Sequence, residues 1–535
     1  MGEVRPNDKK SDPLRWFQGA FLAVALIGAQ VSAAEITVHV RADEPGDMIS
    51  RYLYGQFAEH LGRGIYDGIW VGPDSEIPNT RGFREDVLSA LQELHIPVIR
   101  WPGGCFADEY NWRDGIGPPD ERPVRINTHW GWADETNAFG THEFMDLIEL
   151  LGSEAYIAGN VGSAAPREMA QWLEYMTADN DTELANLRRA NGREEPWVVN
   201  FFGVGNETWG CGGNMSPEYY TDLFNRYSTF LKSPPGRPVK KIASGGSNEQ
   251  TNWTTALIAG NVNEFGNRRE LDGISHHYYT LPTDTWSRKG SAIGFPEEEW
   301  ISTLDNAMRI DEYLTLNEAV LDEYDPDGHV GLYLDEWGTW YDADPDYDGG
   351  VLYQQNSIRD ALVAALSFNI FHRHTPRLHM ANIAQTVNVL QAVILTRGDE
   401  MILTPTYHAF SMYRPFHDST FVPVTLDGGE RYELGGRSVP HVSATSALTA
   451  DGQLLVALVN LHAKKAVDVA VDVTGFRAMG ATAQVLTGDA IDAHNTFENP
   501  GAVAPSNLAV EINDRQVHTQ LPARSVSVIT MDPVR

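Results

Sequence analysis

The chain of 535 residues holds only two cysteines, Cys105 and Cys211, too few for a disulfide scaffold or a thiolate cluster. Basic residues are also scarce: 40 Lys and Arg stand against 73 Asp and Glu, a net charge of −33. A nucleic-acid binder needs a basic surface to displace counterions from phosphates, and a peripheral membrane protein needs one to hold anionic lipid. Both classes are excluded. No internal repeat and no low-complexity linker interrupts the text, so any two domains are expected to pack directly. What is present, 42% apolar and 21% charged residues, is the composition of a globular protein, with length for a large barrel plus a smaller domain.

No run is long and apolar enough to span a membrane. The nearest, FQGAFLAVALIGAQVSAA, follows Arg5, Lys9, Lys10 and Arg15 and ends in the small residues Ser32, Ala33 and Ala34. Charge, a short apolar stretch and small residues make the layout of a cleaved signal, so residues 1–34 read as a signal peptide. The mature protein is then expected in the periplasm or outside the cell, with no membrane contact. ALVAALSFNIF, later in the chain, is followed at once by His372, Arg373 and His374.

After a short strand, ITVHVRA, apolar runs of β type alternate with helical segments over residues 51–396. Expected strands include YGQFA, PVIRW, EAYIAGN, PWVVNFFGVGN, KKIASGG, LDGISHHYY, HVGLYLDEW and RLHMANI. Among the expected helices, FREDVLSALQELH puts Val87, Leu88, Leu91 and Leu94 on one stripe. Such alternation predicts a parallel sheet, and at this length a closed (β/α)8 TIM barrel; a doubly wound sheet is the alternative. Over 397–535 the pattern becomes short strands with period-2 patterning and almost no helix. This predicts a C-terminal all-β sandwich of jelly-roll type, which residues 35–50 can join as an extra strand.

Two carboxylates fall where expected barrel strands finish. Asn206 and Glu207 follow WVVNFFGV, and Glu336 follows GLYL. Strand ends form the active face of such a barrel, so both glutamates point into one cleft. Facing carboxyls suit glycosidic bond cleavage: one, its pKa raised by burial and a neighbouring charge, protonates the leaving oxygen, and the other acts ionised. A separation of about 5–5.5 Å gives retention and about 6.5–9.5 Å gives inversion, a choice the sequence leaves open. An acid after a strand is in most cases a cap or a surface charge; the pair, each beside aromatics, outweighs that reading. Glu59, His60, Arg100, His277 and Tyr279 also fall at strand ends and supply the polar groups that a sugar pocket needs. The adjacent His276 and His277 lack an HExxH pattern or further ligands at suitable spacing, so neither a metal nor a cofactor is expected.

The motifs GQFAEHLGRGIYDGIW, IRWPGGCFADEYNWRDGIGP, PWVVNFFGVGNETWG, DGISHHYYT, LDEWGTWYD and ANIAQTVNVL make the chain resemble the α-L-arabinofuranosidases of glycoside hydrolase family 51. The resemblance runs to the closing LPARSVSVITM. It implies a retaining, exo-acting enzyme that removes terminal arabinofuranosyl groups from arabinoxylan or arabinan, in a family whose members are often homo-oligomers. It implies Glu207 as acid/base, Glu336 as nucleophile, Asn206 on the sugar 2-hydroxyl and Glu59 on the far hydroxyls. Arg100 would orient the carboxylates, His277 and Tyr279 would line the pocket, and Gln385 would sit near the nucleophile. Cys105 stands where many members carry a sugar-binding Asn, which weakens that contact. Cys211 lies four residues after Glu207, so both cysteines can sit near the cleft and could bond in an oxidising compartment, but they are expected as free, partly buried thiols. Trp70, Trp101 and Trp337 are candidate lids for a closed pocket. An endo-acting glucanase or xylanase needs an open groove instead, and a non-catalytic sugar-binding protein would have lost a carboxyl.

Overall fold

The computed structural model describes residues 36–247, 251–262, 265–266, 270–343, 350–513 and 516–534. Eight parallel strands close into a barrel: Gly55–Phe57, Val98–Trp101, Glu154–Gly159, Phe201–Val204, Lys240–Ser247, Gly273–Thr280, Gly331–Thr339 and Leu378–Ala384. They are numbered here one to eight, and helices follow each of them. The doubly wound alternative is excluded because strand eight pairs back onto strand one, Ile383 opposite Gln56. Helix Glu85–Leu94 buries Val87, Leu88, Leu91 and Leu94, the stripe read from its spacing.

Inside the barrel, one end is filled by apolar side chains. Val98, Tyr156, Phe201, Ile242, Tyr333 and Met380 form a closed cluster against Tyr52. Room for the rings comes from glycines: a Cβ at Gly273 would lie 2.2 Å from Cε2 of Tyr333.

The second layer system is a sandwich. One sheet orders Val424–Asp427, Ile36–Arg41, Val467–Thr474, Gln516–Leu521 and Glu511–Asn513. The other orders Thr420–Val422, Val442–Leu448, Leu454–Asn460, Ser525–Pro533, Ala478–Leu486 and Ser506–Asn507. Alternate residues such as Val38, Val456, Leu458, Val469, Val471 and Ile529 meet between them. The expectation of almost no helix beyond residue 397 needs correction, because Pro405–Tyr413 is helical and follows strand eight. It buries residues on nearly every side and so shows no amphipathic period.

Helix Ile358–Phe371 joins the two parts, and all 14 of its residues are buried. On the barrel side its Phe368 and Phe371 meet Trp337. On the sandwich side the Asn369 amide donates to Ser443 Oγ at 3.1 Å, and His372, just past its end, meets Thr445 Oγ1 at 3.0 Å. Buried on every side, this helix is enclosed by protein. No helix among the described residues is long and apolar enough to cross a membrane.

Candidate active site

The polar residues singled out in the sequence meet at the C-terminal end of the barrel. Glu59 follows strand one, Arg100 ends strand two, Asn206 and Glu207 follow strand four, His277 and Tyr279 lie on strand six, Glu336 on strand seven and Gln385 after strand eight. This is the end at which barrels of this type carry their chemistry.

Strand alternation alone would not produce the arrangement. On strand seven Tyr333 and Asp335 face inward and Leu334 outward, so Glu336 should point out. The pairing slips here: Ser275 is opposite Tyr333 but His277 is opposite Glu336, and a second slip occurs against strand eight between Leu334 and Trp337. The extra residue is a bulge, and it turns both Asp335 and Glu336 into the site. Trp337 is thereby sent outward.

Arg100, 2% exposed, is the hub. Its Nη1 donates to Glu336 Oε1 at 2.7 Å and its Nη2 to Asn206 Oδ1 at 2.5 Å, while its Nε lies 3.3 Å from Asp335 Oδ2. Tyr279 Oη donates to Glu336 Oε2 at 2.8 Å, so both oxygens of Glu336 are held. His277 Nδ1 donates to Glu207 Oε1 at 2.9 Å and is 3.4 Å from Glu336 Oε2; its Nε2 is 3.2 Å from Asp335 Oδ1. One oxygen of Glu207, one of Glu336 and a His277 nitrogen all lie within 4.8 Å of one another.

These contacts set the charges. Burial acts to lower the His277 pKa, but Glu336, Asp335 and Glu207 outweigh it and push it up to about 10, so the ring is an imidazolium at neutral pH. Burial acts to raise Asp335, yet Arg100 and His277 hold it well below the usual carboxylate range. Glu59 moves the other way, to about 7, because burial and the Glu336 charge exceed the help from its donors. Those donors are Phe106 N at 3.0 Å, Trp130 Nε1 at 2.9 Å and Gln385 Nε2 at 3.1 Å. His276 points away from its neighbour, toward Tyr313 Oη at 2.7 Å, so the two imidazoles do not form a pair of ligands.

Glu207 has a backbone φ of +40°, a left-handed conformation that costs a side-chain-bearing residue about 1–3 kcal/mol. Its carbonyl accepts from Gly210 N at 2.7 Å and Gly212 N at 3.1 Å, which holds the turn.

The expectation of free thiols is overturned. Cys105 and Cys211 form a disulfide, their Cα atoms 5.5 Å apart. The sequence separation of 106 hid their proximity. Cys105 therefore offers no S–H to a sugar, and the bonded Cys211 sulfur sits 3.6 Å from Glu207 Oε2 as a contact without a proton.

The expected lids are also corrected. Trp101 stacks on Phe144 and is fully buried, as is Trp337, while Trp70 packs against Tyr66. Each of the first two follows a site residue on its strand and so takes the opposite face. The aromatics beside the site are Trp130, on Glu59, and Trp340, 5.0 Å from Tyr279, with half-exposed Trp286 5.3 Å beyond.

Comparison with known proteins decides the family. A family model described as the α-L-arabinofuranosidase 1 domain matches residues 90–291, and the α-L-arabinofuranosidase C-terminal domain matches 335–525. An intracellular exo-α-L-arabinofuranosidase of Bacteroides ovatus is 46% identical over 96% of this chain and 98% of its own. The chain belongs to the α-L-arabinofuranosidases of glycoside hydrolase family 51. Among solved structures, the family 51 arabinofuranosidase of Xanthomonas axonopodis pv. citri is similar at 50% identity and a TM-score of 0.90, covering 93% of this chain and all of that one. The α-L-arabinofuranosidase of Thermotoga maritima in its arabinose complex follows at 31% and 0.81, with the same coverage.

Membership corrects the expected export. The Bacteroides relative is named an intracellular enzyme, which contradicts a periplasmic or extracellular location. Residues 1–35, where the signal was read, lie outside the described residues. The reading rested on the order of charge, short apolar stretch and small residues, a layout that makes no demand on structure.

Two residues of this cluster, Asp335 and Trp130, escaped the sequence reading. Asp335 was visible as an acid directly after the apolar run GLYL, in a strand that is buried throughout, the signal of a paired charge. Trp130 gave no signal, because it sits in a loop without periodicity.

Proposed function

We propose that the protein works by double displacement as a retaining, exo-acting α-L-arabinofuranosidase, with Glu336 as nucleophile and Glu207 as acid/base. The observation that carries this reading is the approach of their oxygens to within 4.8 Å. Direct attack goes with carboxyls about 5–5.5 Å apart, whereas a water between them needs about 6.5–9.5 Å. Glu336, its two oxygens bonded by Arg100 and Tyr279, attacks the anomeric carbon. Glu207 gives its proton to the leaving oxygen, and an arabinosyl ester forms on Glu336. Glu207, now a base, takes a proton from water, which attacks the same carbon and frees arabinose and the Glu336 carboxylate.

Asn206, its oxygen held by Arg100, offers its amide to the 2-hydroxyl, a bond that strengthens as charge develops on the ring. Glu59 and Gln385 take the far hydroxyls. Neutral side-chain-bearing glycans, arabinoxylan or arabinan, suit a protein of net charge −33 better than acidic pectins. Self-association, implied by the family, is read from the mass in light scattering; a monomer overturns it.

The test is release of p-nitrophenol from p-nitrophenyl α-L-arabinofuranoside by the wild type and Glu336→Ala. Rapid release, lost in the variant, is expected. A wild type inert on this substrate that cuts xylan internally overturns the substrate assignment.

A further inference from the structure

The short turn Cys105–Asp108 lies behind the site and is bonded to several of its parts. Phe106 N donates to Glu59, and Cys105 is joined to Cys211 beyond the acid/base. Asp108, 4% exposed, is the remaining link, and the mechanism above does not use it. Its Oδ1 accepts from Val161 N and Gly162 N, each at 2.7 Å, after strand three. Its Oδ2 accepts from Asn206 N at 2.8 Å, one residue before Glu207.

The loop after strand four is wrapped tightly around this carboxylate. A Cβ on Gly212 would lie 1.9 Å from Asn206 O and 2.8 Å from Asp108 Oδ2, so only glycine fits. The left-handed Glu207 backbone is thus held from both sides, by Asp108 on the preceding N–H and by Gly210 and Gly212 on its own carbonyl. We propose that Asp108 is the positioning residue of the acid/base: by fixing the Asn206 N–H it aims the Glu207 carboxyl at the leaving oxygen. The proposal rests on the assignment of Glu207 above. Burial, opposed by the three N–H donors, raises the Asp108 pKa to about 7, and a carboxyl kept in so unfavourable a place is consistent with a task that a neutral side chain does not perform. Asparagine cannot substitute, because one of the backbone N–H groups would then face an amide N–H.

The experiment compares Asp108→Asn, Glu207→Ala and wild type on two substrates, 2,4-dinitrophenyl α-L-arabinofuranoside and an arabinoxylan oligosaccharide. The activated leaving group departs without a proton, so the first step with it does not need a well-aimed acid. For Asp108→Asn the expected result is a fall in kcat/KM of about a hundredfold on the oligosaccharide, the scale of a displacement of about 1 Å. On the activated glycoside the fall in kcat/KM is less than about fivefold, while kcat and KM drop together because the second step still needs Glu207 as base. Equal losses on both, or no loss, overturn the proposal. Glu207→Ala must show the same split more strongly; if it does not, the assignment of Glu207 fails instead. Should Asp108→Asn not fold, Asp108→Ser, which keeps a single acceptor, is measured in the same way. Failure of both variants to fold assigns Asp108 to stability and overturns the positioning role.

Discussion

The two ends of the barrel are made by the same eight strands and buried almost equally, yet they are closed by opposite means. At one end Val98, Tyr156, Phe201, Ile242, Tyr333 and Met380 fill the lumen by contact. At the other, Arg100, Asp335, Glu336 and His277 fill it with charge, each 5% exposed or less. Tyr156 spans the two, its ring in the apolar layer and its hydroxyl on Asp335 at 2.7 Å. Apolar packing is indifferent to where charge appears during a reaction. The polar end holds fixed dipoles and ions ready for that charge, and it is satisfied only while every member has its partner.

Four substitutions or conditions should separate the ends. Glu336→Ala has the largest expected effect: kcat/KM falls about 10⁵-fold, about 7 kcal/mol of transition-state stabilisation, with the fold retained. Steady-state rates and circular dichroism on one sample check it. Arg100→Met comes next, because it strands two buried carboxylates. A stability loss of about 3–5 kcal/mol in urea titration is expected together with a large loss of rate. Phe201→Ala, at the apolar end, should cost about 3 kcal/mol through its cavity yet leave kcat within about twofold well below the unfolding midpoint. A matching loss of rate there would mean that the two ends are not separable.

The smallest effect is a pH slope. His277 is raised from 6.5 to about 10 in the folded protein, so its stabilising contribution is fully present below about 6.5 and is lost as pH rises toward 10. Urea titrations at pH 6 and pH 9 should show wild type losing more stability than His277→Gln over that interval. Parallel losses would show that the ring is not charged in the folded state.

Much of this contrast was legible in the sequence. Glu207 and Glu336 stood out because each ends an apolar run, and the strand ends of a barrel converge. The stripe of helix Glu85–Leu94 was readable because one of its faces meets solvent. Helix Pro405–Tyr413 was not, since burial on nearly all sides erases the period. The bulge at Asp335–Glu336 was also invisible: the text GLYLDEW fits plain alternation, and only pairing with both neighbours shows the extra residue. The Cys105–Cys211 bond and the Asp108 links join loops after different strands, and one-dimensional spacing carries no trace of such closeness.

The central claim is that Glu207 and Glu336 act across one bond by double displacement. Hydrolysis of p-nitrophenyl α-L-arabinofuranoside in aqueous methanol tests it most directly, with the methyl glycoside formed early in the reaction identified by proton NMR. The account predicts methyl α-L-arabinofuranoside, the product of two inversions through an ester on Glu336. The β anomer would mean a single displacement and would contradict it.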